Sequence, residues 1–304
     1  YFAISFVQSV KNMRRARELL GDYKGKLIAK IEKFDAVSNI DEIIETSDGI
    51  MVARGDLGIE VPYYDVPTIQ KMLIRKSNAK GIPVITATQM LLSMTQNERA
   101  TRAEISDVAN AVLDGTDIVM LSEESAVGEN PVNVVETMHN IISQTEKIFD
   151  HEKRYKFTYL DEFDVIQATV TKLADDLSAD GILSLTSSGN SARKMSRYRP
   201  ITPLYTFAHD KETLTGLTAL WGVEPITTVK EAQASKMIQR MLRSLEKREI
   251  LNKKGLYICT VGYPVGIPGS TNTIKILTPS EIEFYLNFKE NREKIKTEKK
   301  VNLA

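Results

Sequence analysis

The sequence predicts a two-domain α/β fold, with a run of parallel βα units first and a smaller three-layer α/β domain after it. Three observations carry this expectation. Short apolar, β-branched-rich runs recur along the first half, helix-period segments separate them, and the same alternation resumes after a charged break. The first half supplies five such runs, FAISFV, KLIAKIE, DGIMVA, IPVITAT and TDIVMLS, each reading as a buried strand. Between them lie VKNMRRARELL, VPTIQKMLIRKSNAKG and EISDVANAVLDG, whose apolar residues recur at helical spacing. Thr101 opens TRAE, a capping box in which Glu104 reaches back, and Gly115 stands where that helix should stop. Asn130 followed by Pro131 starts another helix. Strands alternating with helices imply parallel pairing, because a parallel neighbour needs a crossover connection.

Five βα units are too few to close an eight-stranded barrel, and the glycine fingerprint of a dinucleotide fold is absent. Either the sheet is open or strands are missing. The sequence opens directly on YFAISFV, a strand with no lead-in, which favours missing strands. The first domain is expected over residues 1–149, with a charged linker over 150–160. A second α/β domain is expected over 161–279, opening on helical DVIQATVTKLADDL. Its strands are GILSLT, PLYTFA, EPITTV, GLYICTV and NTIKILT, with KEAQASKMIQRMLRSLEKR helical among them. Residues 280–304 form a charged tail to which no chemistry is assigned.

Forty Lys plus Arg balance forty Asp plus Glu, so the chain lacks the basic footprint that nucleic acid or an acidic membrane would require. Small-molecule partners are expected instead. The single cysteine, Cys259, lies in the apolar run LYICTV. That excludes an internal disulfide and a thiolate metal site, and it fits a reducing cytoplasm. No run is long and apolar enough to span a bilayer, and no charged n-region precedes an apolar h-region.

In a parallel βα barrel the chemistry sits at the C-terminal ends of the strands. The second strand ends in Lys30, Ile31 and Glu32, and strand alternation places Lys30 and Glu32 on one face. The third runs into Ala53, Arg54, Gly55, Asp56, Leu57 and Gly58, where glycines let the backbone approach a ligand. The fourth ends in Thr86, Ala87, Thr88 and Gln89, the fifth in Ser122, Glu123 and Glu124. Glu32 and Asp56, with no His or Cys nearby, suit a hard cation that keeps waters and binds substrate oxygens, Mg²⁺ or Mn²⁺. Lys30 beside it adds positive charge where a phosphoryl group or enolate develops negative charge. Thr88 could hold or relay a proton. Taken singly, a KxE pair in a strand is commonly a surface ion pair and GDLG a turn; joint occurrence at successive strand ends is the signal. Met90 and Met94 read as core, and His139, His151 and His209 show no ligand spacing.

In the second domain, Thr186, Ser187, Ser188, Gly189, Asn190 and Ser191 lie between a strand and a helix, where hydroxyls and free amides suit a phosphate. An ordinary N-cap would look the same. A second glycine-rich loop, GYPVGIPGSTNT, precedes the last strand, and two such loops could clamp one anion.

These blocks together resemble the pyruvate kinase family. The matching stretches are SFVQS at 5–9, AKIEK at 29–33, GIMVARGDLGIE at 49–60, TATQML at 86–91, TRAEISDVANAVLDGTDIVMLS at 101–122 and SGNSARKMSRYRP at 188–200. The resemblance implies the last five βα units of a partial (β/α)8 TIM barrel, then a regulatory α/β domain. It implies phosphoryl transfer from phosphoenolpyruvate to ADP, giving pyruvate and ATP in glycolysis, in a cytoplasmic homotetramer that uses Mg²⁺ or Mn²⁺ and K⁺. By position, Lys30 matches the lysine that stabilises the transferring phosphoryl group, and Glu32 and Asp56 match the divalent-metal ligands. The backbone around Ala53, Arg54, Gly55 and Asp56, with Thr88, matches the substrate-carboxylate and proton-transfer surroundings. Thr186 to Ser191, with Arg193 and Gly269, match an allosteric pocket for a sugar phosphate or nucleotide. Two departures stand out: Ser122, Glu123, Glu124, Ser125 replace the usual SGET, and Ala100 stands where proline is usual. The family's first three strands, lid domain, K⁺ ligands and a substrate-binding arginine would all precede Tyr1, so these residues alone are expected to be inactive. A non-catalytic, effector-binding assembly module is the competing expectation.

Overall fold

The computed structural model describes residues 1–23, 25–151, 157–231, 233–262 and 271–287 of the 304. Gly269, the charged middle of the linker and the tail beyond Asn287 lie outside the described residues. The chain divides into two compact units, one of Tyr1–Thr158 with Ala219–Trp221, the other of Tyr159–Thr218 with Gly222 onward.

The first unit holds β1 (Phe2–Ile4), β2 (Leu27–Ile31), β3 (Gly49–Ala53), β4 (Val84–Ala87) and β5 (Ile118–Met120). All pair in parallel and in chain order, without the reversal of order that marks a doubly wound sheet. The connecting helices are α1 (Val10–Leu20), α2 (Phe34–Ser38), α3 (Ile40–Thr46), α4 (Arg54–Glu60), α5 (Val66–Lys80), α6 (Arg102–Asp114), α7 (Glu123–Ala126) and α8 (Pro131–Glu146). Their ends follow the punctuation in the sequence. Thr101 Oγ1 accepts from Glu104 N–H, the Glu104 carboxylate returns to Thr101, and Gly115 closes α6 at φ +92°. Asn130 caps α8 with Pro131 in its first turn.

Strand alternation sorts the core. Leu27, Ala29, Ile31, Ile50, Val52 and Val84 face Met13 of α1, Ile43 and Ile44 of α3, and Leu73 and Ile74 of α5. The other face carries Ile28, Met51, Ile85 and Ala87, flanked by partly buried Ile118 and Met120. Lys30 pairs in register with Met51, so its side chain belongs to this second face, away from the helices. The sequence marks all five runs as buried, but Phe2 is 46 % exposed and β5 is only half-buried. Both are edge strands with a neighbour on one side only, so half their surroundings are lacking.

The second unit is a five-stranded sheet in the order β10-β9-β6-β7-β8. It is formed by β6 (Gly181–Thr186), β7 (Leu204–Ala208), β8 (Val223–Thr228), β9 (Tyr257–Gly262) and β10 (Thr271–Leu277). Among the described residues, only β10 runs antiparallel, against β9. Ile182, Leu204 and Ile258 pack with α9 (Glu162–Asp176) and α10 (Asn190–Ser196). Leu183, Tyr205, Tyr257 and Cys259 face the other way, toward α12 (Ala234–Lys247) and α13 (Pro279–Leu286). A short α11 (Lys211–Gly216) joins β7 to β8, completing the three layers that the sequence implied. Buried in this core, the Cys259 thiol is pushed up to about 12 and is a packing residue. No helix among the described residues is long and apolar enough to cross a membrane.

Candidate active site

The ends of β2, β3 and β4 are neighbours in the sheet, and on them stand most of the residues singled out from sequence. At β2, Lys30 Nζ lies 2.6 Å from Glu32 Oε1 and 3.1 Å from Ser5 Oγ. Glu32 Oε2 accepts from Phe6 N–H at 2.6 Å. That bond fastens the turn after β1, where Phe6 takes φ +56°, to the end of β2. The Glu32 side chain is 2 % exposed and that of Lys30 24 %, so a shielded carboxylate is matched by a cation that still reaches solvent. Next along the chain, the Lys33 ammonium is held above its ordinary range, chiefly by its hydrogen bond to Glu60 at 2.5 Å, with Asp56 among the weaker contributors.

At β3, Ala53 is buried and Arg54, Gly55 and Asp56 form the first turn of α4. Asp56 is exposed at this helix start, where a carboxylate is favoured by the helix dipole. Gly55 and Gly58 have φ outside the left-handed region, and a Cβ on Gly55 would meet only Thr88, at 3.6 Å. That is ordinary contact, so packing against Thr88 does not by itself demand glycine there. The Arg54 guanidinium points inward, into the protein. Its Nη1 is 2.7 Å from both oxygens of Asp107 on α6, its Nη2 donates to Thr88 O at 2.7 Å, and its Nε donates to Ala87 O at 3.2 Å. Arg54 thus ties α4 and α6 to the end of β4.

At β4, that tie holds an unusual backbone. Thr88 and Gln89 take φ of +70° and +53°, and a β-branched residue in this region costs roughly 1–3 kcal/mol. The Thr88 hydroxyl donates to Ala87 O at 2.6 Å and accepts Gly55 N–H at 2.9 Å, bringing the β3 and β4 ends together. At β5, Glu124 is 1 % exposed and accepts from Leu91 N–H at 3.1 Å and Ser122 N–H at 2.7 Å. It fastens the loops after β4 and β5, while Glu123 beside it is exposed.

Glu32 and Asp56 are oxygen donors, the type that hard cations prefer. Each Glu32 oxygen has one protein donor and retains a lone pair, and Asp56 is engaged by no hydrogen bond or ion pair among the described residues. Three or more clustered His, Cys, Asp or Glu side chains do not occur among those residues. The donor set therefore fits a cation completed by water and substrate oxygens rather than one enclosed by protein.

In the second unit, Thr186 and Gly189 are buried, whereas Ser188 and Asn190 are exposed. Thr186 Oγ1 accepts Gly189 N–H at 2.9 Å, and Gly189 sits at φ +83°. Ser187 O accepts from Thr213 Oγ1 at 3.4 Å, and Ser191 Oγ lies 3.0 Å from Thr271 Oγ1. Arg193 is half-buried with its Nη2 beside the Gly189 turn. Sequence reasoning missed Ser5, Phe6 and Asp107 as partners of the strand-end residues. SFVQS was legible as a block, but contacts 25 to 53 residues away leave no local signal.

Fold and strand-end site together define a protein of the βα-barrel class with an appended α/β unit. Residues 1–135 match the family model for the pyruvate kinase barrel domain, and residues 164–277 match that for the pyruvate kinase alpha/beta domain. The chain is 41% identical over 281 residues to the pyruvate kinase of Lactobacillus delbrueckii subsp. bulgaricus, covering 90% of the chain and 48% of that relative. It is 41% identical over 289 residues to that of Bacillus licheniformis, covering 93% and 49%, and 40% identical over 279 residues to that of Clostridium acetobutylicum, covering 90% and 59%. The chain belongs to the pyruvate kinase family. It spans about half the length of the curated relatives it matches.

Proposed function

We propose that this chain carries the phosphoryl- and metal-handling side of a pyruvate kinase active site, serving transfer from phosphoenolpyruvate to ADP. The observation that carries the reading is the Lys30–Glu32 contact at the end of β2, beside Asp56 and Thr88 on the next two strand ends. A divalent cation, Mg²⁺ or Mn²⁺, held by Glu32 and Asp56 would supply charge to polarise the phosphoryl and enolate oxygens. Lys30, tethered by Ser5 and Glu32, holds its ammonium where negative charge develops on the transferring group. The backbone around Gly55, in the first turn of α4, suits the carboxylate of a small acid. Thr88, its hydroxyl fixed between Ala87 O and Gly55 N–H, is placed to hold or pass a proton at the enolate carbon. Arg54 supports this arrangement through its bonds to Ala87 and Thr88 rather than by touching substrate.

Family membership supports a cytoplasmic glycolytic enzyme that assembles as a homotetramer, uses K⁺, and responds to a phosphorylated effector. The loop from Thr186 to Ser191, with Arg193 and Gly269, is our candidate for the effector. The catalytic reading is tested by metal-dependent phosphoenolpyruvate binding, followed by calorimetry with and without Mg²⁺. Binding that requires metal and is lost in Glu32→Gln supports it; metal-independent binding overturns it. Light scattering tests the tetramer.

A further inference from the structure

The second unit carries a concavity distinct from the Thr186–Ser191 loop, a groove of about 830 Å³ between the C-terminal half of α12 and α13. α12 is two-sided. Met237, Ile238, Met241, Leu242 and Leu245 are buried, whereas Lys236, Arg240, Arg243 and Lys247 recur at helical spacing on the exposed side. Lys253 and Lys254 extend this basic stripe past the helix and line the groove with Arg243 and Lys247. Half-buried Leu286 of α13 is the apolar part of its floor, with Ile282 fully buried beneath it, and the exposed Glu246 and Glu283 also line it.

Part of this charge is satisfied internally. Lys253 Nζ lies 2.6 Å from Glu246, and Arg243 donates to Leu286 O at 3.0 Å. Lys247 and Lys254 are exposed and form no ion pair among the described residues. Four cations against two carboxylates, Glu246 and Glu283, leave the groove net basic in a chain of zero formal net charge. The chain's own tail is a poor occupant by charge. Residues 288–304 hold six basic side chains (Lys289, Arg292, Lys294, Lys296, Lys299, Lys300) against three acidic ones (Glu290, Glu293, Glu298). An anionic bilayer would call for several apolar side chains standing out beside the cations, and in the groove Leu286 lies in a hollow instead. A nucleic acid would engage the cations and leave that floor unused.

We propose that this groove binds an acidic peptide segment of a partner protein, with carboxylates against Arg243, Lys247, Lys253 and Lys254 and an apolar side chain against Leu286. Charged rims of this kind set association rate and salt dependence, while the apolar anchor sets the lifetime of the complex.

The test is fluorescence anisotropy on the intact chain with a labelled peptide of repeated Glu-Glu-Leu, at ionic strength on the order of 50 mM, where screening is weak. Expected is saturable binding that weakens as salt rises, falls about tenfold in the Lys247→Glu/Lys254→Glu variant, and falls again when the peptide leucines become serines. The neutral Lys247→Gln/Lys254→Gln variant should lie between, and circular dichroism of both variants should match the parent. The proposal is overturned by absent binding, by binding that the charge reversal leaves unchanged, or by serine peptides that bind as well. Tighter binding of an oligonucleotide of equal charge, or of phosphatidylserine vesicles, overturns it too.

Discussion

Lys30 Nζ and Glu32 Oε1 stand 2.6 Å apart at the end of β2, and the same carboxylate reaches back to the Phe6 amide. One shielded acid thereby sets the position of the lysine and of the turn after β1. The two partners should respond differently to substitution. Lys30→Met in the active enzyme should lower turnover by about a hundredfold or more, the scale of losing one preorganised electrostatic donor. Its circular dichroism should stay that of the parent, since Lys30 is on the exposed side of the pair. Turnover within a factor of about two of the parent would remove Lys30 from the chemistry.

Thr88 combines strain with position. Thr88→Gly should relieve left-handed strain and raise stability by up to about 1 kcal/mol, while losing the hydroxyl that joins Ala87 O to Gly55 N–H. Thr88→Ser keeps that hydroxyl and should retain more activity than Thr88→Gly. Urea titration paired with pyruvate formation separates the two effects, and equal activity in both variants would argue against a role for the hydroxyl.

Asp48 gives a prediction for pH. Burial alone would raise its pKa, but the Leu27 amide, Arg17 at 2.5 Å and Lys26 at 3.2 Å outweigh that and hold it below its ordinary value of 3.8. A depressed carboxylate contributes stability that is fully present above its unfolded pKa and is lost as pH falls through the lower folded one. Denaturant midpoints should therefore drop below about pH 4, and Asp48→Asn should flatten that drop. The substitution should also cost roughly 1–3 kcal/mol at neutral pH. An unchanged acid profile in the variant would show that other groups govern it.

Gly189 has two reasons to remain glycine. Its φ of +83° disfavours any L side chain, and a Cβ would come within 3.0 Å of Leu217 Cδ2. Gly189→Ala should destabilise the second unit by about 1 kcal/mol or more and weaken binding of fructose bisphosphate or a nucleotide more than it weakens folding. Calorimetry against thermal unfolding compares the two. Full effector affinity in the variant would place the effector elsewhere.

Much of the fold was legible because its signals are local. The five runs and the TRAE box follow from side-chain periodicity and from one cap, and those periods are fixed by backbone geometry. The exposure of β1 and the reversed direction of β10 were not legible, because strand neighbours and edges are set by pairing across the chain. At the site, alternation alone placed Lys30 and Glu32 on one face. The sequence places Arg54 among the substrate surroundings by its position in the backbone; the partner of its side chain, Asp107, lies 53 positions away and left no local signal. Glu124 reads as a strand-end acid and proves to be a buried fastener for two loops.

In the proposed site Glu32 and Asp56 hold one divalent cation beside Lys30. Titration of Mn²⁺ into the chain, followed by water-proton relaxation, tests it most directly, in the parent and in Glu32→Gln and Asp56→Asn. One saturable site is expected in the parent, weakened by about tenfold or more in each variant. Equal Mn²⁺ affinity in all three proteins would contradict it.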